Sequence, residues 1–333
     1  MQSTFNPTPW TLGPGKRVVL TGGAGFIGSH CLQALLKAGV EVIVVDAFDT
    51  SLYPEPLKRR NMKEAAPPEA YTLETLNILD RTGLDAMFER HAPVDAVLHL
   101  AALAGVRPSI EQSPNYYDVN LTGTAHLLQA ARARGTERFV LASSSSVYGR
   151  NTKTPFAETD RVDGPASPYA ASKRAMELLA YADQAIHGGH ITCLRLFTVY
   201  GPRQRPEMAI HKFMRLIDQE QTLPMFGDGQ SGRDYTYVAD IVHGIQAALV
   251  RMDGFRIYNL GGDRVVRLRH LIESIATVVG KPPQIEQLPE QPGDVPLTMA
   301  DLTLARHELR FEPQTTLDDG LKHMWHWYRS VRS

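Results

Sequence analysis

Apolar runs alternate with amphipathic segments along roughly the first two thirds of the chain. The runs with the length of buried strands are Val18–Leu20, Val42–Val45, Val94–Leu100, Arg138–Ala142 and Ile191–Phe197. The segments near Pro114–Arg134 and Pro168–His187 predict helices between them. Strands that alternate with helices indicate an α/β fold, a doubly wound parallel sheet (Rossmann) that is covered on both faces.

The alternation ends after Gly201, where prolines, short strands and short helices mix up to about Pro313. An amphipathic helix over Leu317–Tyr328 closes the chain. We therefore expect a flexible lead-in over 1–15 and a dinucleotide-binding Rossmann domain over 16–200. A smaller mixed α/β domain over 201–333 would bind substrate, with the chain crossing back between the two.

Composition excludes several classes of partner. The formal net charge is −1 and no long basic run occurs, so we expect no nucleic-acid or membrane-surface binding. No window approaches the roughly 20 apolar residues of a membrane span, and residues 1–15 lack the pattern of a signal peptide. The two cysteines, Cys31 and Cys193, have no metal-ligand spacing. We expect both to be buried, reduced thiols of a cytoplasmic protein. We expect no metal site.

The segment from Thr21 to Gly28 follows the first strand and opens a helix. Gly22 can take a positive φ, Gly25 lets the backbone approach a pyrophosphate, and Gly28 lets the helix pack closely on the strand. A Gly-rich run also occurs at ordinary tight turns. However, the next strand ends in Asp46, about 20 residues on, where a carboxylate would bind the adenosine ribose and repel a 2′-phosphate. This pattern favours NAD over NADP.

A second constellation follows the strand Arg138–Ala142. A run of serines, Ser143–Ser146, precedes a helix on which Tyr169 and Lys173 lie four residues apart, and so on one face. An ammonium beside a phenol lowers the pKa of the phenol, which predicts Tyr169 as a base near neutral pH. A serine hydroxyl could share its proton. The alternative is a Ser-rich turn followed by an ordinary helix.

With these two motifs in this order, the chain resembles the extended short-chain dehydrogenases/reductases, in particular their NAD-dependent nucleotide-sugar epimerases, from Arg17 to about Trp327. The resemblance implies a catalytic triad of Ser144, Tyr169 and Lys173. It implies that NAD is held by Gly22, Gly25, Phe26, Ile27, Gly28, Asp46, Ile78, Leu100, Ala101, Ala102, Tyr169 and Lys173. It places Arg233 and Asp294 at the nucleotide diphosphate, and it implies a homodimer formed through the helices Tyr116–Ala133 and Tyr169–Ala185.

Finer matches over Asp46–Lys58, Leu100–Arg107 and Phe197–Ala209 look like UDP-glucuronate 4-epimerases. Galactose 4-epimerases commonly carry lysine, asparagine and arginine where this chain has Ala104, Thr198 and Gln291. In this resemblance Arg205, Thr198 and the hydroxyls of Ser144, Ser145 and Ser146 form a clamp for the uronate carboxylate. Arg107 is the next candidate for the clamp. Alternatively, Arg205 binds a phosphate or faces solvent.

The resemblance thus implies C4 epimerisation of a UDP-uronic acid, UDP-glucuronate to UDP-galacturonate, through a transient 4-keto intermediate. That intermediate is a β-keto acid, which loses carbon dioxide unless its carboxylate is restrained. The alternatives are a UDP-glucuronate decarboxylase, a neutral UDP-hexose 4-epimerase, a 4,6-dehydratase and an NAD-sensing binding protein. Decarboxylases usually place a glutamate, and dehydratases an Asp-Glu pair, in the turn that holds Ser145 and Ser146 here. Binding proteins often lose the tyrosine or lysine that this chain keeps.

Overall fold

The computed structural model describes residues 6–7, 10–290 and 296–332, so Gln291 and Asp294 lie outside the described residues. The strands are β1 (Arg17–Thr21), β2 (Glu41–Asp46), β3 (Thr72–Thr75), β4 (Ala96–His99), β5 (Arg138–Ser144), β6 (His190–Leu196), β7 (Thr198–Tyr200), β8 (Thr222–Phe226), β9 (Gly232–Tyr237), β10 (Phe255–Leu260), β11 (Val265–Arg267) and β12 (Gln284–Leu288). The α-helices are α1 (Phe26–Lys37), α2 (Glu55–Ala65), α3 (Arg81–His91), α4 (Val106–Glu111), α5 (Ser113–Tyr117), α6 (Thr124–Arg132), α7 (Pro168–His187), α8 (Ala209–Asp218), α9 (Val238–Val250), α10 (Leu268–Val279) and α11 (Leu317–Val331). Pro68–Ala70 and Ser145–Tyr148 form 3₁₀ turns, and Asp118–Gly123 and Ala305–Leu309 form π turns.

A sheet of seven parallel strands forms the centre of the molecule, in the order β10-β6-β5-β4-β1-β2-β3. Both of its faces are buried: Val18 and Leu20 of β1 pack into one apolar cluster, and Val19 packs into another on the opposite face. A sheet covered on both faces needs continuous apolar strands, as the sequence has. The predicted doubly wound parallel sheet is confirmed.

The strand at one edge of this sheet comes from the later part of the chain. β10 pairs in parallel with β6, with Ile257 opposite Cys193. The other late elements form a sheet of β11, β9 and β7 and a two-stranded sheet of β12 and β8. Met214, Leu271 and Met324 belong to a third apolar cluster, which joins α8, α10 and α11. Cys31 and Cys193 are both buried and unpaired.

The region predicted as one helix over Pro114–Arg134 is divided. α5 ends at Tyr117, the π turn Asp118–Gly123 follows, and α6 begins at Thr124. A Cβ on Gly123 would lie 2.7 Å from Cγ1 of Ile78, so this turn packs tightly against the segment after β3. The wide turn holds Asn120, whose side chain leaves the helix to bind a neighbouring loop.

Part of the predicted lead-in has fixed contacts. Trp10 and Leu12 pack against the apolar cluster of the large sheet. The Trp10 ring centroid lies 5.8 Å from the Lys16 ammonium and 5.5 Å from the Arg138 guanidinium. Among the described residues, no helix combines the length and the apolar character needed to cross a membrane.

Candidate active site

A cavity of about 510 Å³ opens where the parallel strands β1, β4, β5 and β6 end. Ligands of doubly wound sheets bind beyond the carboxyl ends of the strands. The predicted site residues that line this cavity are Gly22, Gly25, Phe26, Ile27, Gly28, Asp46, Ile78, Leu100, Ala101, Ala102, Ser144, Ser145, Ser146, Tyr169, Lys173, Thr198 and Arg205. One cavity therefore contains both motifs and the predicted clamp.

The glycine loop between β1 and α1 is shaped for a dinucleotide. Gly22 has a φ of 72°, and a Cβ there would lie 2.7 Å from the Ala101 nitrogen. A Cβ on Gly28 would lie 2.0 Å from the Gly22 carbonyl oxygen, so only glycine lets α1 approach the loop. Gly25 caps α1 without a side chain, and no acidic residue occupies the first helical turn. The free N–H groups at this helix start can therefore bind an anion such as a pyrophosphate.

Asp46 connects the end of β2 to this loop. Its Oδ2 accepts a hydrogen bond from the Ala24 N–H at 3.0 Å, and its Oδ1 accepts one from the Phe48 N–H at 2.8 Å. Each carboxylate oxygen has a second lone pair, so ribose hydroxyls can bind to the same carboxylate. The glycine loop, the helix N-terminus and this acid together fit NAD.

The hydroxyl and amine groups of the second motif meet between β5 and α7. β5 ends at Ser144, whose Oγ accepts a hydrogen bond from the Ser146 N–H at 3.1 Å. The Ser144 hydroxyl also forms a hydrogen bond with the Tyr169 phenol. Tyr169 lies in the first turn of α7, which begins at Pro168 and is capped by Ser167. One turn later, Lys173 Nζ donates to the Ala142 carbonyl oxygen at 2.7 Å. The three predicted catalytic residues are thus neighbours.

The expected effect of Lys173 on the Tyr169 pKa does not occur. Burial raises the Tyr169 pKa above its ordinary value, and the hydrogen bond from Ser144 and the Arg205 guanidinium only partly offset that rise. Lys173 directs its ammonium to the Ala142 carbonyl, and burial lowers its own pKa to about 8, against the effects of Cys193 and Glu177. The cation that favours the Tyr169 phenolate here is therefore Arg205, which the sequence indicated only for the substrate.

A buried ion pair joins β6 to α7, and Ser143 of β5 binds to it. Arg195 of β6 donates two hydrogen bonds to Glu177 of α7, both at 2.9 Å. The Ser143 hydroxyl donates to the same carboxylate at 2.6 Å. Because Ser143 directly precedes Ser144, this network holds the serine run at a fixed distance from the Tyr169 helix. Removing one member of a buried pair costs about 3–5 kcal/mol.

Sequence reasoning missed two residues near this centre. Asn120 accepts from the Leu103 N–H at 2.8 Å and donates to the Leu103 carbonyl at 2.9 Å and to Ser172 Oγ at 3.0 Å. It thereby joins the cavity loop to α7. The Tyr116 ring packs edge-on against Tyr169, with centroids 6.1 Å apart. No local pattern distinguishes this asparagine from a solvent-facing helix residue, so only the structure reveals it.

Thr198 and Arg205 of the predicted carboxylate clamp line the same cavity as the serine run. Thr198 begins β7, and Arg205 follows in the next loop. The Arg205 Nε lies 3.3 Å from Glu207 Oε1, and its Nη1 donates to the Ala104 carbonyl oxygen at 3.5 Å. These two contacts orient the guanidinium without covering all of its five N–H groups.

Two other predicted substrate residues do not line the cavity. Arg107 is exposed, and its guanidinium lies 5.3 Å from the Phe226 ring centroid. Arg233 lies on β9, where its Nη1 donates to the Gly232 carbonyl oxygen at 2.9 Å. In the described part of the chain, no three His, Cys, Asp or Glu side chains form a group that could hold a metal ion.

The chain is similar in sequence to a known family and to a characterised kind of epimerase. The model of the family described as GDP-mannose 4,6 dehydratase matches residues 19–324. A UDP-glucuronate 4-epimerase of Thermodesulfobacterium geofontis is 39% identical over 310 residues, which are 93% of this chain and 95% of that protein.

Two solved structures have closely similar folds. The UDP-glucuronic acid 4-epimerase of Bacillus cereus, in complex with UDP-glucuronic acid and NAD, has a TM-score of 0.88 at 33% identity, over 95% of this chain and 99% of that one. A UDP-glucose 4-epimerase of Thermotoga maritima with UDP-glucose has a TM-score of 0.87 at 29% identity, over 95% of this chain and 100% of that one.

Proposed function

Because the chain belongs to the family described as GDP-mannose 4,6 dehydratase, a family of extended short-chain dehydrogenases/reductases, we propose that it is an NAD-dependent UDP-glucuronate 4-epimerase, which interconverts UDP-glucuronate and UDP-galacturonate. The observation that carries this proposal is that one cavity is lined both by Ser144, Tyr169 and Lys173 and by Thr198 and Arg205. Proton-transfer groups lie there beside a cation suited to a carboxylate.

NAD is the cofactor, and the cavity fits it. The helix start at Gly25 and Phe26 would hold the pyrophosphate, Asp46 the adenosine ribose, and Lys173 the ribose of the nicotinamide. Ile78, Leu100, Ala101 and Ala102 would supply the apolar walls around the rings. When bound, NAD accepts a hydride from carbon 4 of the sugar and later returns it to the opposite face. The cofactor is therefore regenerated in each turnover.

Tyr169 would move the proton of the sugar's 4-hydroxyl. Its phenolate accepts this proton as the hydride leaves. The same phenol returns the proton once the 4-keto sugar has rotated to present its opposite face. The Ser144 hydroxyl donates a hydrogen bond to the phenolate and so favours it, and the Arg205 guanidinium favours the same charged form. The sugar carbonyl can accept the Ser144 hydrogen bond in place of the phenolate.

The serine run, Thr198 and Arg205 would hold the uronate carboxylate. An arginine fork can grip a carboxylate at two points. In the 4-keto intermediate the carboxylate carbon is β to the ketone, so the bond that joins it to carbon 5 can break and release carbon dioxide. Its electrons would then pass into the enolate. A clamp that keeps this bond in the carbonyl plane prevents its overlap with the carbonyl π system. The intermediate then keeps its carboxylate until the ketone is reduced.

This chain lacks the residues that the rival activities would require. Ser145 and Ser146 occupy the turn in which a dehydratase would carry its Asp-Glu pair and a decarboxylase its glutamate. A neutral-hexose epimerase would need Arg205 at most for a phosphate and not for the sugar. A binding protein without catalysis would not need Tyr169 and Lys173 side by side.

We also infer a cytoplasmic homodimer. The helix α7 exposes Leu178, Tyr181 and Ile186 at 54%, 58% and 74% of their surfaces, and Tyr117 at the end of α5 is 39% exposed. Exposed apolar residues concentrated on adjoining helices suit a two-fold contact with a second copy of the chain. The two buried, unpaired thiols suit a reducing compartment.

The test is incubation of the purified holoenzyme with UDP-glucuronate, followed by NMR and a carbon-dioxide assay. We expect UDP-galacturonate and no gas. Carbon dioxide with a UDP-pentose product would instead establish a decarboxylase. Conversion of UDP-glucose alone would establish a neutral-hexose epimerase, and bound NAD without turnover of either sugar would leave only the binding protein.

A further inference from the structure

Arg203 is a buried cation whose partners are all uncharged. It is 6% exposed and has a φ of 64°, in the left-handed region that non-glycine residues rarely adopt. Its Nη1 donates to the Ser29 carbonyl at 3.3 Å and to the Asn61 carbonyl at 3.5 Å. Its Nη2 contacts His30 Nδ1 at 2.7 Å and Gln33 Oε1 at 3.0 Å. Burial lowers its pKa to about 10, although Glu64 acts in the opposite direction.

His30 of α1 binds the same loop at a second point. Because arginine only donates, His30 Nδ1 must accept from Arg203, which leaves the proton on Nε2. The Nε2–H group therefore donates to the Pro202 carbonyl oxygen, at 2.8 Å. Burial lowers the pKa of His30 to about 3, so the ring stays neutral and keeps both bonds throughout the working range of pH.

Two residues after Arg203, the same loop presents Arg205 to the cavity. Gln204, between them, is held by its side chain: Nε2 donates to the Val199 carbonyl at 3.0 Å and Oε1 accepts from the His211 N–H at 3.2 Å. Arg203 thus reaches into α1 and α2 on one side, while Arg205 reaches Ala104 and the cavity on the other. α1 is also the helix whose first turn forms the cofactor cradle.

We propose that Arg203 is a positioning residue for carboxylate selectivity: by anchoring the Gly201–Met208 loop to α1, it sets the place from which Arg205 meets the substrate. This inference rests on the proposed role of Arg205 as the carboxylate ligand. A buried unpaired cation and a left-handed φ both cost stability, and the anchored loop offers a functional reason for keeping them.

The test compares dissociation constants for UDP-glucuronate and UDP-glucose, which differ only in the carboxylate. NAD-loaded protein in a Tyr169→Phe background is used because this substitution slows turnover during calorimetry. Arg203→Met keeps an unbranched apolar side chain in place of the arginine stem and removes the donors. We expect the selectivity for UDP-glucuronate over UDP-glucose to fall by about threefold or more, with little change for UDP-glucose. Arg138→Met, which removes a half-buried arginine beside Trp10 and away from the cavity, is the control and should leave the ratio unchanged.

The decisive comparison is a double-mutant cycle with Arg205→Ala. If Arg203 acts through Arg205, Arg203→Met has no further effect on the ratio once Arg205 is gone. An effect that persists in that background, an unchanged ratio, or equal losses for both sugars would each overturn the proposal. If Arg203→Met does not fold, His30→Ala, which removes one anchor of the loop, is judged by the same ratio. An Arg205→Ala protein with unaltered selectivity would instead overturn the proposed carboxylate clamp itself.

Discussion

At the Tyr169 phenol, burial opposes ionisation while a hydroxyl and a guanidinium favour it. Tyr169→Phe removes only the proton-transfer group, so we expect the fold and the bound NAD to persist. The rate should fall by roughly 10²–10⁴-fold, the usual contribution of a general acid–base residue. Initial rates with UDP-glucuronate and release of NAD on denaturation measure both quantities. Tyr71→Phe, outside the cavity, is the control, and near-normal turnover by a folded Tyr169→Phe protein would remove Tyr169 from this role.

Because of Lys173, the free energy of unfolding of the cofactor-free protein should vary with pH in the alkaline range. Its pKa is about 8 in the folded chain against the ordinary value of 10.5, because burial disfavours the charged amine. Between these values the unfolded chain binds more protons, so the free energy of unfolding rises with pH from about 8 to about 10.5. The shift corresponds to about 3 kcal/mol.

Urea unfolding at pH 7, 8.5 and 10.5 would measure this dependence as the difference between wild type and Lys173→Met. The subtraction removes the contributions of the other titrating groups. A constant difference across the series would mean that the amine is not desolvated as the structure shows.

At the scale of elements, the approach of α1 to the loop after β1 depends on one glycine. A Cβ on Gly28 would lie 2.0 Å from the Gly22 carbonyl oxygen, so Gly28→Ala must move backbone. We expect a loss of about 1–3 kcal/mol or more in unfolding free energy, together with weaker NAD binding. Gly164→Ala, where a Cβ meets nothing within 4 Å, is the control for denaturant unfolding. Equal stability of the two variants would contradict the tight packing.

The elements that the sequence revealed are those whose physics is local. A strand, a glycine turn and a helix start follow one another in the chain, so the cradle around Gly22 and Gly28 could be predicted from composition and spacing. Likewise, the spacing of Tyr169 and Lys173 places both on one helix face. The resemblance to a known family added Thr198 and Arg205.

What could not be predicted depends on contacts between distant segments. Asn120, which reaches Leu103, lies where the helix widens into a π turn, and periodicity does not encode that widening. The Lys173 ammonium turns to a strand carbonyl instead of to Tyr169, which a helical wheel cannot show. In the sequence, Arg203 and Arg205 are two similar arginines of one loop. Only the structure shows that Arg203 contacts α1 and that Arg205 lines the cavity.

For the whole molecule, the exposed apolar residues of α7 predict association. Leu178→Glu combined with Tyr181→Glu places two charges in the proposed contact. In sedimentation velocity we expect the wild-type protein to be a dimer and this variant to be a monomer. Leu73→Glu, which charges an exposed apolar residue of β3, is the control. A dimer that survives the double substitution would place the interface elsewhere.

The position of β10 at the edge of the large sheet has a consequence for synthesis on the ribosome. β6 ends at Leu196 and its neighbour β10 begins only at Phe255, so one side of β6 has no strand to pair with while residues 197–254 are made. At about 5–20 residues per second, those roughly 60 residues take about 3–12 s. An unpaired strand edge is a template for association with other chains. Nascent chains arrested before Phe255 should therefore aggregate or recruit chaperones more readily than chains arrested beyond α10.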